Sequence, residues 1–482
     1  MRFSKKLIFF FWLLFYFFLY IFFLKNFLIY TYLDYAEGEY LYQTYQFLEK
    51  GKKLYTNLFT PQPPLNYYLT ALLMKIKNSA LTFRFFAISV IFVVNFCLYL
   101  LVSKSFKSQT LGILVSSTAF FLPVVSARFN VYTPEIWQSL LSILIISALI
   151  NQRSFPKNLF EVLIAFLISL AVFIKYTSFI FLFSTFMLLI LIKKDYKAAL
   201  KIFFLTLVFF LIGALFFYKL YGKNFINYTL IIRKAVPFKP KQIIVRSIIT
   251  IFTLYGSFWI LNLLAFLKEK NVKARLLLLF SLINAPIFYT SFITTTFAYV
   301  YLPFEPFVTI GAFYFLINSK RINKIIALFL LFCFLNFVYM FQSALFVYKR
   351  SLKNNIYEKT TLFAKKMVEK FSSKSEKIYA PQYIAYLSKR ELVADFSDIY
   401  LLWVDYTYNQ QKFSKERIRT FKKAIKQAKL PIILSDWRAP LFKEIYSLLQ
   451  NSKKYKKVGK KGAFFLVPYE YVEIFIKKKP ES

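Results

Sequence analysis

Apolar positions fall along this chain in long unbroken runs, not in the alternation or one-sided stripes that a soluble core needs. Runs lie near residues 7–24, 84–102, 110–126, 136–150, 159–174, 176–192, 202–221, 247–267, 276–292, 300–318 and 325–347. Crossing the hydrocarbon of a bilayer takes roughly 20 helical residues. The pattern therefore predicts a polytopic α-helical membrane protein of about eleven transmembrane helices, the shorter ones tilted, broken or partly re-entrant. The first run, LIFFFWLLFYFFLYIFFL, holds 18 residues without a charge. It is too long for the apolar part of a signal peptide and no small-residue cleavage site follows, so it is expected to stay as a membrane helix.

Between the runs, basic residues set the orientation. Arg2/Lys5/Lys6, Lys104/Lys107, Arg153/Lys157, Lys193/Lys194/Lys197/Lys201, Lys268/Lys270/Lys273/Arg275 and Lys320/Arg321/Lys324 occupy alternate connections, all on the side of the N-terminus. The positive-inside rule makes that side cytoplasmic. Residues 30–82, 127–135, 222–246 and everything after 348 are then expected on the outer face of the cytoplasmic membrane. The contrast is softened by Lys223, Arg233, Lys234, Lys239, Lys241 and Arg246 in the third of these segments.

The pattern changes after residue 350. Apolar runs shrink to strand length in KIYAP, ELVADF, PIILSD and AFFLVPY, and amphipathic stretches such as SKERIRTFKKAIKQA and APLFKEIYSLLQ lie between them. This predicts a division into a transmembrane domain, 1–350, and a small extracytoplasmic α/β domain, 351–482.

Composition removes whole classes of chemistry. The chain has no histidine, which excludes imidazole acid–base catalysis, His triads and His zinc sites. Its two cysteines, Cys97 and Cys333, sit inside apolar runs and indicate neither a disulfide nor a thiol nucleophile. The formal charge of +42 accompanies enrichment in Phe, Ile, Lys and Tyr with only 9 glycines, and no nucleic-acid-binding motif goes with it. It reads as a bias of the whole chain, with a basic tail suited to anionic membrane lipids, and nucleic acid is not an expected partner. Carboxylates, Lys, Arg and Tyr are left to do any chemistry.

The acids are few, 22 against 64 basic residues, yet three of them crowd into LDYAEGEY just after the first membrane run: Asp34, Glu37 and Glu39. An amphipathic stretch ended by Gly51 follows, and then PPLNYYLTALLMKI opens with Pro63 and Pro64. Two short interfacial helices are expected, near 37–50 and 63–77, with Tyr40, Tyr42, Tyr45, Tyr67 and Tyr68 as head-group anchors. Taken alone, such acids cap and solvate a helix start. Lys175, which interrupts an apolar region, is equally a snorkelling helix end, and Glu135 after Pro134 a favourable acid at a helix start.

The order of these elements changes that balance. The acid pair, Glu-Gly and Tyr, then Gly51, Pro63-Pro64-Leu65 and Tyr67-Tyr68-Leu69, resembles the first outer loop of the membrane-embedded C-fold glycosyltransferases of the protein mannosyltransferase and aminoarabinose transferase type. Ser126-Ala127-Arg128-Phe129 with Thr133-Pro134-Glu135 resembles that family's second outer loop. Phe173-Ile174-Lys175 resembles its Phe-Leu-Thr-Lys, and Tyr299, Tyr301, Pro303 and Pro306 its proline-spaced late helix start. The resemblance covers residues 1 to about 350, and the tail only in its α/β character. It departs at Ala36, where many relatives carry Asp: Asp34 takes over that role, or Glu37 works alone, or activity is lost.

The resemblance implies a glycosyltransferase that moves a sugar from a polyprenyl-phosphate donor to a lipid, glycan or protein acceptor. Asp34 and Glu37 become the catalytic candidates; Glu39, Tyr40, Arg128, Glu135, Lys175, Tyr299 and Tyr301 become the substrate-binding ones, with Arg233 or Lys234 as further cations. The residue types suit the task, since a carboxylate takes or orients the proton of an acceptor hydroxyl and cations hold a departing phosphate. Asp34, Glu37 and Glu135 also offer the oxygen ligands that suit Mg²⁺ or Mn²⁺, although nothing in the sequence demands a metal. Two other classes share the many spans: a transporter or flippase of lipid-linked saccharides, which would show paired, broken halves not seen here, and a non-catalytic subunit of a surface-polymer assembly. The orientation has its own test: a cysteine placed at position 450 should label only from the outer face of intact cells, and labelling only from the cytoplasmic face would overturn the assignment.

Overall fold

The computed structural model describes residues 5–27, 35–60, 62–231, 241–293, 301–318, 324–353, 355–396, 412–435, 443–462 and 471–478. Helices come first: α1 (Lys5–Phe27), α2 (Tyr35–Glu49), α3 (Pro64–Ile76), α4 (Ala80–Phe106), α5 (Gln109–Ala119), α6 (Pro123–Arg128), α7 (Pro134–Ile150), α8 (Lys157–Ile174), α9 (Phe179–Leu188) and α10 (Tyr196–Tyr221). After a short α11 (Lys223–Ile226) come α12 (Lys241–Lys268), α13 (Val272–Ile293), α14 (Ile310–Asn318), α15 (Lys324–Lys353), α16 (Asn355–Phe371) and α17 (Gln382–Ser388). Ten of the eleven apolar runs fall largely on helix; the run at 300–318 becomes helix only from Ile310, after a turn that includes the 3-10 segment Glu305–Phe307, and the run at 110–126 is broken, as α5 stops at Ala119 and α6 starts at Pro123.

Among the described residues seven helices are long and apolar enough to cross a membrane: 6–27, 80–106, 157–174, 176–193, 196–221, 251–268 and 324–345, with α7 a shorter apolar helix beside them. The side chains on several of these point outward. Phe10, Phe15 and Phe18 of α1, Phe204, Ile212 and Leu215 of α10, and Phe334 and Leu335 of α15 are all exposed. Apolar surface on that scale belongs in lipid. The chain is an integral membrane protein.

The chain divides into two compact units. The first gathers residues 1–28, 83–215 and 238–352. Its inward faces are marked by aromatic residues with polar tips. On α1, Trp12, Tyr16 and Tyr20 recur every fourth residue and so share one side. Their indole and hydroxyl groups bond Ser117 Oγ (3.1 Å), the Phe92 carbonyl (2.6 Å) and Ser89 Oγ (2.8 Å). A hydrogen bond of this kind satisfies the polar tip of an otherwise apolar side chain in lipid. Farther along, α12 and α14 meet at Gly311, where an added Cβ would lie 2.5 Å from the Asn262 nitrogen. Asn262 seals that contact by accepting from Gly311 N (2.7 Å) and donating to Val308 O (2.9 Å).

The second unit gathers residues 29–82, 216–237 and 353–482. These are the segments that the basic-residue alternation assigns to one side of the membrane, apart from the turn at 127–135. The two expected loop helices are present as α2 and α3, close to the expected bounds. Their environment differs from expectation. Tyr40, Tyr42, Tyr45 and Tyr67 are buried in protein, and Tyr68 bonds the Tyr221 hydroxyl at 2.6 Å. They are core residues here, not head-group anchors, because α2 is covered on two faces. Tyr40 and Phe47 pack on Tyr67 and Tyr68 of α3. Gly38, Tyr42 and Tyr45 form a second helical face that meets the C-terminal segment: Tyr42 Oη accepts from Leu392 N at 2.8 Å, and Tyr45 packs edge-on against Tyr386 of α17.

The tail is α/β. Strands β1 (Lys377–Ile378) and β2 (Glu391–Leu392) pair in parallel, and β3 (Ile432–Ser435), β4 (Tyr455–Gly462) and β5 (Tyr471–Lys477) form an antiparallel sheet in the order β3-β5-β4. Helices Lys412–Lys426 and Lys443–Gln450 match the two amphipathic stretches. Of the strand-like runs, AFFLVPY lies outside the described residues; of the strands on either side of it, β4 is lysine-rich and β5, YVEIFIK, is largely apolar.

The contact of α2 with α17 depends on the absence of a side chain at Gly38, where a Cβ would stand 2.3 Å from Tyr383 Cβ and 2.9 Å from its Cα. Gly38→Ala should force the two helices apart and cost about 1–3 kcal/mol, the usual penalty for overpacking. A melting temperature of the purified protein equal to that of the native chain would count against this packing.

Candidate active site

In the second unit the acid cluster occupies the first turns of α2. Asp34 lies outside the described residues. Glu37 and Glu39 do not dissolve into solvent: Glu37 is fully buried and Glu39 nearly so. Glu39 Oε1 accepts from Gln43 Nε2 at 3.2 Å, one turn along, while Glu37 sits at the positive end of the helix, where a carboxylate is favoured. The charge of Glu37 reaches α17. Burial first, and then the negative charges of Glu37 and Tyr45, push the Tyr386 phenol well up from its ordinary value. Tyr386 therefore stays a neutral donor and bonds Asn78 Oδ1 at 2.8 Å.

Lys389 completes this wall. Its ammonium lies 4.1 Å from the Tyr386 ring centroid and 4.5 Å from that of Tyr45, and it donates to Asn78 Oδ1 at 3.1 Å. Burial lowers its pKa to about 8, with Glu49 pulling upward and Lys365 downward.

In the first unit, α7 and the end of α8 bring two of the expected residues together. Pro134 opens α7, since a proline lacks only an N–H that the first turn would leave unused. Glu135 follows it, wholly buried, and forms an ion pair with Lys175. Lys175 ends α8 in extended backbone and is itself buried. It is no snorkelling helix end. Gln138, one turn on from Glu135, donates to Thr177 Oγ1 (3.2 Å) and Ser178 Oγ (2.5 Å) and fixes the same junction. Hydrogen-bonding capacity remains unused there: Glu135 Oε2, Gln138 Oε1 and Thr133 Oγ1 are buried and have no protein partner among the described residues.

Arg128 stands in the last turn of α6, partly exposed. Tyr301 is buried, accepts from Trp259 Nε1 at 3.4 Å and packs edge-on against Tyr255. Tyr40 lies between α2 and α3 against Tyr67. Tyr299, Arg233 and Lys234 lie outside the described residues. The residue that sequence reasoning missed is Glu305, fully buried in a single 3-10 turn (Glu305–Phe307) and bonded to α6 and α12. Its signal was available, because a lone carboxylate inside an apolar run is functional by default.

As to metals, no group of three or more His, Cys, Asp or Glu side chains that could hold an ion gathers among the described residues. Glu135 is already neutralised by Lys175.

The arrangement of these helices is a polytopic membrane fold that the chain shares with a solved protein, ArnT. The solved structure of ArnT from Cupriavidus metallidurans bound to undecaprenyl phosphate superposes with a TM-score of 0.66 over 96% of this chain and 98% of that chain, at 10% identity. ArnT from the same organism in the apo state gives 0.63 over 96% and 97%, again at 10% identity. No family model matches the chain, and no curated protein matches it.

The Lys389 environment gives a pH signature. The folded protein releases this proton near pH 8, whereas an unfolded chain holds it to the ordinary lysine value, so stability from this group rises as pH increases between the two. Labelling of Lys389 by an amine-reactive reagent, followed by mass spectrometry, should rise through a midpoint near 8, well below that of exposed lysines. A midpoint shared with the exposed lysines would contradict the assigned environment.

Proposed function

We propose that this protein is a glycosyltransferase that moves a sugar from a polyprenyl-phosphate carrier to a hydroxyl-bearing acceptor, a lipid, glycan or protein, at the outer face of the cytoplasmic membrane. The observation that carries the reading is the Glu135–Lys175 pair: a buried cation held by a carboxylate whose second oxygen has no protein partner among the described residues. An ion pair of this kind stabilises a fold poorly compared with apolar residues of the same volume. It suits a ligand that carries both a phosphate and hydroxyl groups. The fold supports the same reading, since the ArnT structure it resembles holds undecaprenyl phosphate.

The reaction divides into two tasks. At the acceptor, Asp34 or Glu37 orients the hydroxyl and takes its proton as the oxygen attacks the anomeric carbon. At the donor, the bond from that carbon to the phosphate oxygen breaks and the phosphate leaves with a second negative charge. Lys175 and Arg128 hold that charge, Arg128 with the planar fork that matches phosphate oxygens. Glu135, Glu39, Tyr40, Tyr299 and Tyr301 are the substrate-binding candidates, and attack opposite the leaving group inverts the anomeric centre. Mg²⁺ or Mn²⁺, if bound, would take oxygen ligands from Asp34 and Glu37 and would add positive charge beside the departing phosphate. The C-terminal residues stand on the outer side with α2 and α3, where they wall the acid-bearing helix.

A transfer assay on membranes with a panel of radiolabelled polyprenyl-phosphate sugars tests this. Asp34→Asn or Glu37→Gln should reduce transfer at least tenfold, about 1.4 kcal/mol of barrier. Transfer unaffected by both substitutions would remove these carboxylates from the chemistry.

A further inference from the structure

The short helix α6 has an unusual way of starting. Leu122, at its N-cap, has no side-chain acceptor, and Pro123, at the first helical position, has no N–H. The first two donors that the helix must satisfy are therefore Val124 N and Val125 N. Both go to one carboxylate far along the chain: Val124 N donates to Glu305 Oε1 at 3.1 Å and Val125 N to Glu305 Oε2 at 2.8 Å. Tyr255 of α12 donates its hydroxyl to the same Oε1. A six-residue helix is far too short to persist by its own hydrogen bonds. Its other end is held by Phe129, which packs edge-on against Phe23 at 4.8 Å and Phe27 at 4.9 Å.

Arg128 is the residue just inside that second anchor, and Glu305 is the first. We infer that Glu305 is a positioning residue: its carboxylate caps α6 from across the unit and so sets where the Arg128 guanidinium stands. The inference rests on the reading of Arg128 as a phosphate contact. Glu305 also belongs to the turn that begins at Tyr301 and Pro303, and Pro303 O accepts from Ser142 Oγ of α7 at 3.2 Å. One turn thus ties together α6, which carries Arg128, and α7, which carries Glu135. A buried carboxylate is a costly choice for mere packing in an apolar region. It is a fitting one where two backbone N–H groups and a hydroxyl need a single acceptor of fixed geometry.

The test uses the full chain in lipid nanodiscs, with Cys97 and Cys333 replaced by alanine and a spin label on Asn130→Cys, just past α6. Undecaprenyl phosphate is the binding probe. Glu305→Gln keeps the side-chain size but turns one acceptor into a donor facing a backbone N–H. It should increase the mobility of the label and weaken binding at least fivefold. In a double-mutant cycle it should add little to the loss caused by Arg128→Ala, because both changes remove the same contact. If Arg128→Ala weakens binding while Glu305→Gln leaves affinity and label mobility at native values, the positioning role is wrong. If Arg128→Ala itself leaves binding unchanged, the phosphate reading of Arg128 fails, and the label still reports whether Glu305 holds α6. Should Glu305→Gln not fold, Tyr255→Phe removes one of the three hydrogen bonds. It should raise label mobility by a smaller amount, and native mobility in that variant would overturn the inference.

Discussion

A charge buried away from water must have an opposite charge or several donors beside it, and the interior of this protein is organised by that requirement. Acids are scarce in the chain, and those that are buried each stand where something meets them. Glu135 has Lys175. Glu305 has two backbone N–H groups and a phenol. Glu37 and Glu39 occupy the opening turn of a helix, with Gln43 on Glu39. Apolar residues in the same places would stabilise a membrane bundle at least as well. What the acids add is fixed polar geometry in a dry place, which is the condition under which phosphate and hydroxyl groups are recognised strongly.

The same requirement explains the second unit. A loop carrying three carboxylates could lie exposed on a membrane surface, but then its acids would be solvated and its geometry loose. Here α2 is covered by α3 on one face and by the C-terminal segment on another, with Gly38 permitting the close approach of Tyr383. The contact is polar as well as apolar, through Tyr42 to Leu392 N and through Lys52 to Glu391 at 3.0 Å. The tail is therefore part of what gives the acid-bearing helix a single position. This ties the most soluble-looking part of the chain to the candidate chemistry.

Much of this was legible in the sequence. The apolar runs located the helices because a membrane span is a local property, written in consecutive residues. Pro63, Pro64 and Pro134 marked helix starts for an equally local reason, and the ordered motifs resembled those of the C-fold glycosyltransferases, a likeness in fold that the ArnT structure bears out. What escaped were properties that depend on partners far along the chain. The tyrosines of α2 looked like interfacial anchors because an amphipathic pattern does not reveal a second covering surface. Lys175 and Glu135 each had an ordinary local explanation, and only their pairing across two helices removes it. Glu305 could be suspected as a lone acid in an apolar run, but its targets, Val124 and Val125, are backbone groups that leave no mark in a sequence. Strand β4 escaped because its lysine-rich sequence, YKKVGKKG, hides the alternation that betrays a half-buried strand.

Whether the buried Glu135–Lys175 pair serves a ligand and not the fold is decided by replacing both partners. Removing one alone would strand a buried charge at a cost of about 3–5 kcal/mol and confuse the two roles, whereas removing both together is often neutral or stabilising. The measurement is the melting temperature and the sugar transfer rate of the Glu135→Leu/Lys175→Leu double variant, side by side with the native protein. A pair that serves a ligand leaves a double variant that melts at or above the native temperature and has lost transfer. A double variant that melts normally and still transfers sugar at the native rate would contradict that role.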